Sequence, residues 1–334
     1  MAFVIDSLSW NFNGLDVGHV TEKLEGLLAR LDASTERKEE FYFGSNLQQQ
    51  IVCGDMDLWS FLYSDLMQDL DNSIITELAS YLNTGKYYED EYDIWPHGFP
   101  EYDVYDINGN TVSLDYSFVH FNNVTGTPFA CISLNKTSTI YLLSEQNRSS
   151  LFFITNEVEH KIFWRTIALT TLRDTQRNLE MISSHCYPNL YFHKGVWKGI
   201  DDFRGGYAAV YDKLQQYLSV LDDYGFWAFK APPPNINPQD PVPDNIDPLL
   251  SPTNQLIQNR FSALGITVTP EKPEVKANKN CREAREINIG TKTLYCEWHG
   301  KLELHKNRIH IYPPIEESNG KVIIAIFHDH LALP

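Results

Sequence analysis

Three histidines, two lysines and one arginine are concentrated in residues 297–314, EWHGKLELHKNRIHIYPP. Side chains of these types suit phosphodiester chemistry, because Arg and Lys neutralise phosphate and a histidine with a pKa near neutrality donates or accepts a proton. RNA supplies its own nucleophile, the 2'-hydroxyl, once a base removes its proton. The stretch therefore predicts a phosphate-directed site that needs neither a metal nor a cofactor.

The spacing of these residues indicates two adjacent strands, in which alternate side chains point to opposite faces. The side chains expected on the outer face are His299, Lys301, Glu303 and His305 from the first strand, and Arg308, His310 and Tyr312 from the second. Ile309 and Ile311 are expected to point inward. Alternation alone also produces a polar open face on any half-buried sheet, so a functional site and a solvated surface both remain open.

Site residues can be proposed on this basis. The acid–base candidates are His299, His305 and His310, and the candidate nucleic-acid contacts are Arg285, Lys301, Arg308 and Tyr312. His328 and His330 share a strand face, and this spacing can ligate zinc if His299 or His310 completes the site. Because no acidic or cysteine ligand is clearly placed beside them, we predict no metal, and the role of His328 and His330 stays open.

The chain has 334 residues and a formal net charge of -17, which argues against general attraction to nucleic acid or to an anionic membrane. The acidic side chains are dense between Asp55 and His120, whereas residues 271–334 are nearly neutral. The acidic region could bind a basic partner or shield the basic residues of the C-terminal part. A solvated surface that aids solubility is the alternative.

The five cysteines are odd in number and form no CxxC pair, so neither a disulfide framework nor a cysteine zinc site is predicted. The first residues lack the pattern of a signal peptide. No apolar run approaches the roughly 20 residues that span a bilayer. These features predict a cytoplasmic protein without a membrane partner.

Prolines are concentrated in residues 231–252, APPPNINPQDPVPDNIDPLLSP, and each removes a backbone donor. We predict an extended linker there, which would separate an acidic α+β domain of residues 1–230 from a C-terminal domain of residues 253–334. Helical apolar spacing occurs around residues 19–31, 57–82 and 206–224. Short β-rich runs between residues 102 and 155 predict an antiparallel sheet. The C-terminal domain is predicted to contain one helix and a four-stranded antiparallel sheet.

Residues 254–334, with the strand series ending in HGKLELHKNRIHIYP and NGKVIIAIFHDHL, resemble the RelE/ParE-like toxin superfamily. The resemblance lies in Arg308 and Ile309 on a central strand, followed by a turn and an apolar final strand. It implies a helix packed on a curved antiparallel sheet, with basic functional residues on the sheet. By position these are Lys301, Arg308 and His310, with His328 on the last strand. The whole chain also resembles an uncharacterised bacterial two-domain family.

The leading prediction is an RNA-directed module of toxin-like or antiviral-defence type, with RNA or the ribosome as partner and metal-independent ribonuclease activity as one form of it. The alternative is a non-catalytic subunit of a bacterial defence or toxin–antitoxin-like complex, whose acidic N-terminal domain binds a basic protein. The sequence leaves open whether the protein is an enzyme.

Overall fold

A computed structural model of the chain describes residues 2–90, 103–145 and 147–334. These residues belong to two units, Met1–Asp174 and Thr175–Pro334. Both units mix helices and strands, as the α+β prediction requires at that coarse level. Residues 91–102, which are part of the predicted acidic partner surface, lie outside the described residues.

The described part of the first unit has the following elements. Its strands are β1 (Ala2–Ile5), β2 (Glu40–Phe43), β3 (Ile51–Cys53), β4 (Met56–Asp57), β5 (Lys86–Tyr87), β6 (Tyr105–Asp106), β7 (Phe129–Ile132), β8 (Ile140–Leu143), β9 (Arg148–Leu151) and β10 (Phe153–Ile154). Its helices are α1 (Val17–Glu36), α2 (Leu58–Leu62), α3 (Asn72–Thr84), α4 (Leu114–Val124), and α5 (Glu157–Ile162), which a π-helical segment (Phe163–Ala168) continues into α6 (Leu169–Thr171).

The main sheet of the first unit has five strands in the order β10-β7-β1-β2-β5, and every pairing in it is parallel. All residues of β1 and β7 are buried, as is typical of strands covered on both faces. The predicted antiparallel sheet of residues 102–155 is therefore wrong for β7 and β10. It holds for β6, β8 and β9, which form a small antiparallel sheet. Helix α4 also lies within the region that was predicted to be β-rich.

Helices α1 to α5 of the first unit begin at side-chain caps. Asp16 accepts a hydrogen bond from the backbone N–H of His19 at the start of α1, whose buried leucines confirm the predicted helix. In the first turn of α5, Glu157 accepts hydrogen bonds from the guanidinium groups of Arg30 and Arg37. This contact ties α5 to α1.

The second unit has these elements. Its strands are β11 (Leu190–Phe192), β12 (Val268–Pro270), β13 (Glu286–Ile289), β14 (Lys292–Tyr295), β15 (Trp298–Lys301), β16 (Arg308–Tyr312) and β17 (Val322–His328). Its helices are α7 (Gln176–Cys186), α8 (Gly206–Lys230), α9 (Asn254–Ala263), α10 (Pro273–Ala277) and α11 (Lys279–Glu283).

The main sheet of the second unit also has five strands, in the order β11-β17-β16-β15-β12. Strands β12, β15, β16 and β17 pair antiparallel, whereas β11 joins β17 in parallel. Strands β13 and β14 form a separate hairpin outside this sheet, whereas the sequence predicted one four-stranded sheet for this region. Helix α8 packs on one face, where a Cβ on Gly300 of β15 would lie 2.8 Å from the ring of Tyr217. This close approach explains why a glycine occupies that strand position.

The unit boundary differs from the predicted linker. Residues 231–252 contain neither helix nor strand, as their prolines require, but they lie within the second unit. The reason is Arg260 of α9, which is fully buried and donates hydrogen bonds to the carbonyl oxygens of Ala228, Ala231, Pro232 and Asn235. The proline-rich segment is thus attached to the unit that follows it, and α8 belongs to that same unit.

Candidate functional site

A cavity of about 540 Å³ opens on the face of the second-unit sheet opposite α8. Four cationic side chains line it: Lys272, Arg285, Lys301 and Arg308. We call it the cationic cavity. Glu271, Glu274, His299 and His330 also contribute to its wall. Cations outnumber carboxylates in this lining, so the cavity favours an anion even though the chain as a whole is acidic.

Strand pairing brings the central residues together. In the register of β15 and β16, His299 lies opposite His310 and Lys301 lies opposite Arg308. The two imidazole rings are 5.6 Å apart between centroids. Side chains on one face of paired strands are neighbours, so alternation along the sequence correctly predicted that these four share a face.

Arg285 forms one wall of the cavity and is only 1% exposed. Its Nε donates to Glu271 Oε1 over 2.7 Å, and its Nη1 donates to the carbonyl oxygens of Cys281 and Ala332 at 2.9 and 3.1 Å. It therefore joins α11, the residue after β12 and the end of the chain. Its Nε and Nη1 donors are engaged inside the protein, which makes Arg285 a structural residue of the cavity wall, while its role as a nucleic-acid contact stays a prediction.

His299 and His310 are both buried. Burial, together with repulsion from the cations Arg308, Lys301 and Arg285, lowers the pKa of His299 to about 3. The pKa of His310 is also lowered, first by burial and then by His299 and the same arginines. Both rings are consequently neutral near pH 7, where a neutral imidazole offers one acceptor nitrogen and one N–H donor.

Lys301 and Arg308 are half-buried, and neither forms an ion pair with any residue that the structure describes. Burial lowers the pKa of Lys301, and repulsion from Arg308 acts in the same sense. The pKa of Arg308 is lowered by burial as well. The repulsion between two neighbouring cations decreases when an anion binds between them.

Three other predicted residues do not join Lys301 and Arg308 in the cavity lining. His310 lies on the predicted face of the sheet but is fully buried there, so the prediction that it is accessible on an outer face is wrong. Residues 271–285 cover this face of the sheet, and the alternation of β16 could not reveal that cover. His305 is exposed in the turn between β15 and β16, outside the lining. Tyr312 lines a different depression, with Lys276 and Tyr295.

Sequence reasoning missed Glu271 and Lys272. They follow β12, an edge strand too short to be recognised from its sequence, whose register places Thr269 opposite His299. The nearest Glu271 oxygen is 3.5 Å from His299 Nδ1, and His299 Nε2 is 3.3 Å from Thr269 Oγ1. Ligand atoms of Glu271, His299 and His310 all lie within 4.8 Å of one another, and these three form the candidate metal cluster among the residues that the structure describes. His328 is not part of this cluster, and its Nδ1 accepts the backbone N–H of His330.

A second cluster lies in the first unit, where β1 and the adjacent β7 end. Strands β7 and β2 lie on opposite sides of β1, and the crevice at such a change in strand order is where parallel sheets usually bind ligands. Asp6 accepts hydrogen bonds from Tyr116 and Ser133, and Asp115 accepts them from Ser7 and Tyr88. Burial raises the pKa of Asp115. Every carboxylate oxygen of this pair already has a donor, which distinguishes it from the histidines of the cationic cavity.

No known protein family, curated protein or solved structure matches the chain. Among the described residues, no helix combines the length and apolarity that crossing a membrane requires. All five cysteines are free.

Proposed function

We propose that the second unit is an RNA-directed module of toxin-like or antiviral-defence type, which binds a phosphate of RNA in the cationic cavity. The observation that carries the proposal is the pair Lys301 and Arg308, two half-buried neighbouring cations without an ion-pair partner among the described residues. A phosphate oxygen supplies the missing counter-charge, and arginine can bind it through two parallel N–H donors.

The size of the cavity is consistent with this proposal. Its volume of about 540 Å³ is within the range of pockets that bind small ligands, roughly 300–1,000 Å³. RNA, rather than a free phosphate compound, is chosen because residues 254–334 resemble RelE/ParE-like toxins, in which basic residues of the sheet are functional. Of the predicted acid–base histidines only His299 lines the cavity, so the proposal concerns RNA binding and does not include cleavage.

The test measures binding of a fluorescently labelled single-stranded RNA to the full chain at several salt concentrations. Lys301→Ala and Arg308→Ala should each weaken binding and reduce the slope of log affinity against log salt by about 0.7, the value for one phosphate contact on a single strand. Lys279→Ala is the matched control, because Lys279 is exposed in the same unit and lies outside the cavity. The proposal is refuted if the protein does not bind the RNA. It is also refuted if all three variants bind the RNA as the unsubstituted protein does.

A second proposal concerns the first unit, which would bind a basic protein partner as a subunit of a larger complex. Its support is a stretch in which exposed Asp65 and Asp69 accompany Tyr63 and Leu66, whose side chains are 71% and 59% exposed. Carboxylates beside exposed apolar groups suit a basic, partly apolar surface. A labelled arginine-rich peptide should bind the full chain, and the double variant Asp65→Asn/Asp69→Asn should bind it more weakly. Equal binding by Asp65→Asn/Asp69→Asn and the unsubstituted protein contradicts this proposal.

A further inference from the structure

A set of potential metal ligands lies where Glu271 and His299 line the cationic cavity and His310 is buried beside them. Glu271, His299 and His310 come from three separate chain segments, and their ligand atoms lie within 4.8 Å of one another. His299 is 5% exposed and His310 is 0% exposed. Because no two of these residues are close in sequence, the cluster forms only in the folded chain.

The hydrogen bonding of the two imidazoles is incomplete. Within the described residues, neither Nδ1 nor Nε2 of His310 has a hydrogen-bond partner, and Nδ1 of His299 has none either. Buried polar atoms almost always have a partner, and a bound ion is one of the few explanations when the protein supplies none. Three unpartnered ring nitrogens beside one carboxylate therefore indicate a missing ligand at this position.

We propose that Glu271, His299 and His310 bind one divalent transition-metal ion of the Zn²⁺ type. Two neutral imidazole nitrogens and one carboxylate oxygen are a common ligand set for such an ion, with a fourth position left open to the cavity. Arg285 donates to Glu271 Oε1 and fixes the orientation of the carboxylate, as outer partners of metal ligands do.

The surrounding charge determines which molecule would take the open position. The three ligands carry a single negative charge, so a bound dication leaves a positive centre next to Lys301 and Arg308. Such a centre binds water, hydroxide or an anion rather than a second cation. The metal site itself does not depend on the proposed RNA binding, because its ligands are Glu271, His299 and His310 rather than the half-buried cations Lys301 and Arg308.

The experiment uses the full chain after treatment with a chelator and removal of the chelator. Zn²⁺ is titrated in competition with a chromophoric chelator, and one ion per chain is expected. Co²⁺ is used as a second probe, because its visible absorption reports tetrahedral coordination, and thiolate ligands would add a near-ultraviolet charge-transfer band. That band should be absent, which separates the site from the free cysteines.

His310→Gln and Glu271→Gln should each weaken Zn²⁺ affinity by more than about 100-fold, beyond the roughly 10- to 100-fold loss that follows removal of an outer partner. His305→Ala is the matched control, since His305 is exposed and lies outside the cluster. Far-ultraviolet circular dichroism identifies a variant that does not fold, and in that case the zinc-induced rise in the thermal midpoint of the unsubstituted protein is measured instead. The proposal is overturned by substoichiometric binding, by unchanged affinity in folded variants, or by the absence of that rise.

Discussion

Replacing Arg285 by Met tests whether this residue is a wall of the cavity or a free cation. The side chains of Arg285 and Glu271 are 2% and 8% exposed, and the arginine also donates to two backbone carbonyls. Met fills a similar volume but leaves the Glu271 carboxylate without its partner. Breaking a buried pair in this way costs about 3–5 kcal/mol. With a urea m-value of about 2 kcal/mol/M, the unfolding midpoint of the second unit should fall by roughly 2 M.

Urea unfolding of the full chain would be followed by tryptophan fluorescence in the presence of a chelator. Peptide-resolved amide hydrogen exchange would assign the loss to the second unit. The double variant Arg285→Met/Glu271→Gln should recover part of the stability, because the isolated charge is removed with its partner. If Arg285→Met unfolds within about 0.5 kcal/mol of the unsubstituted protein, a change typical of surface positions, the buried-pair argument fails. Arg285 would then be available to contact nucleic acid after all.

Three further substitutions test the packing inside each unit, and urea unfolding measures the effect of each one. Arg260→Met should destabilise the second unit by about 3 kcal/mol or more, because buried carbonyl oxygens of the proline-rich segment lose their donor; an unchanged midpoint would contradict this. Gly199→Ala should destabilise it by about 3 kcal/mol, since the new Cβ would lie 2.0 Å from the carbonyl oxygen of Phe327; a loss below about 1 kcal/mol would show that the chain relaxes there. Burial raises the pKa of Glu157, but hydrogen bonds from its two arginine partners outweigh this effect and lower the pKa overall. The ionised Glu157 therefore stabilises the folded state above pH 4.5, and this stabilisation is lost as pH falls through the folded-state pKa. Glu157→Gln should thus cost about 1–2 kcal/mol at pH 7, a value reduced for partial exposure, and less as pH falls below 4.5; a cost that does not decrease with falling pH would refute the assignment.

The sequence predicted the part of the site that depends on strand alternation. Lys301 and Arg308 face each other across β15 and β16, and a pattern with period two places them on one face together with His299. The cover over His310 could not be predicted, because it comes from residues 271–285, which approach the sheet only in the folded chain. Glu271 has no local signal either, since its role depends on the register of a three-residue edge strand.

The limits at the level of the fold have similar causes. Apolar runs such as Phe129–Ile132 have no periodicity that distinguishes parallel from antiparallel pairing, and the choice depends on crossovers elsewhere in the chain. Prolines correctly predicted that residues 231–252 are irregular. They could not show that a buried arginine 25 residues after Asn235 holds the segment in place.

The hydrogen bonds of Arg260 set a lower limit on the portion of the gene that can be expressed alone. A fragment beginning at residue 253 would keep the guanidinium but lose every carbonyl that it contacts in residues 228–235. It would also lose α8, which covers one face of the sheet, and β11, which pairs with β17. A domain exchange or fusion that uses this region should therefore include the whole chain from about Thr175 onward.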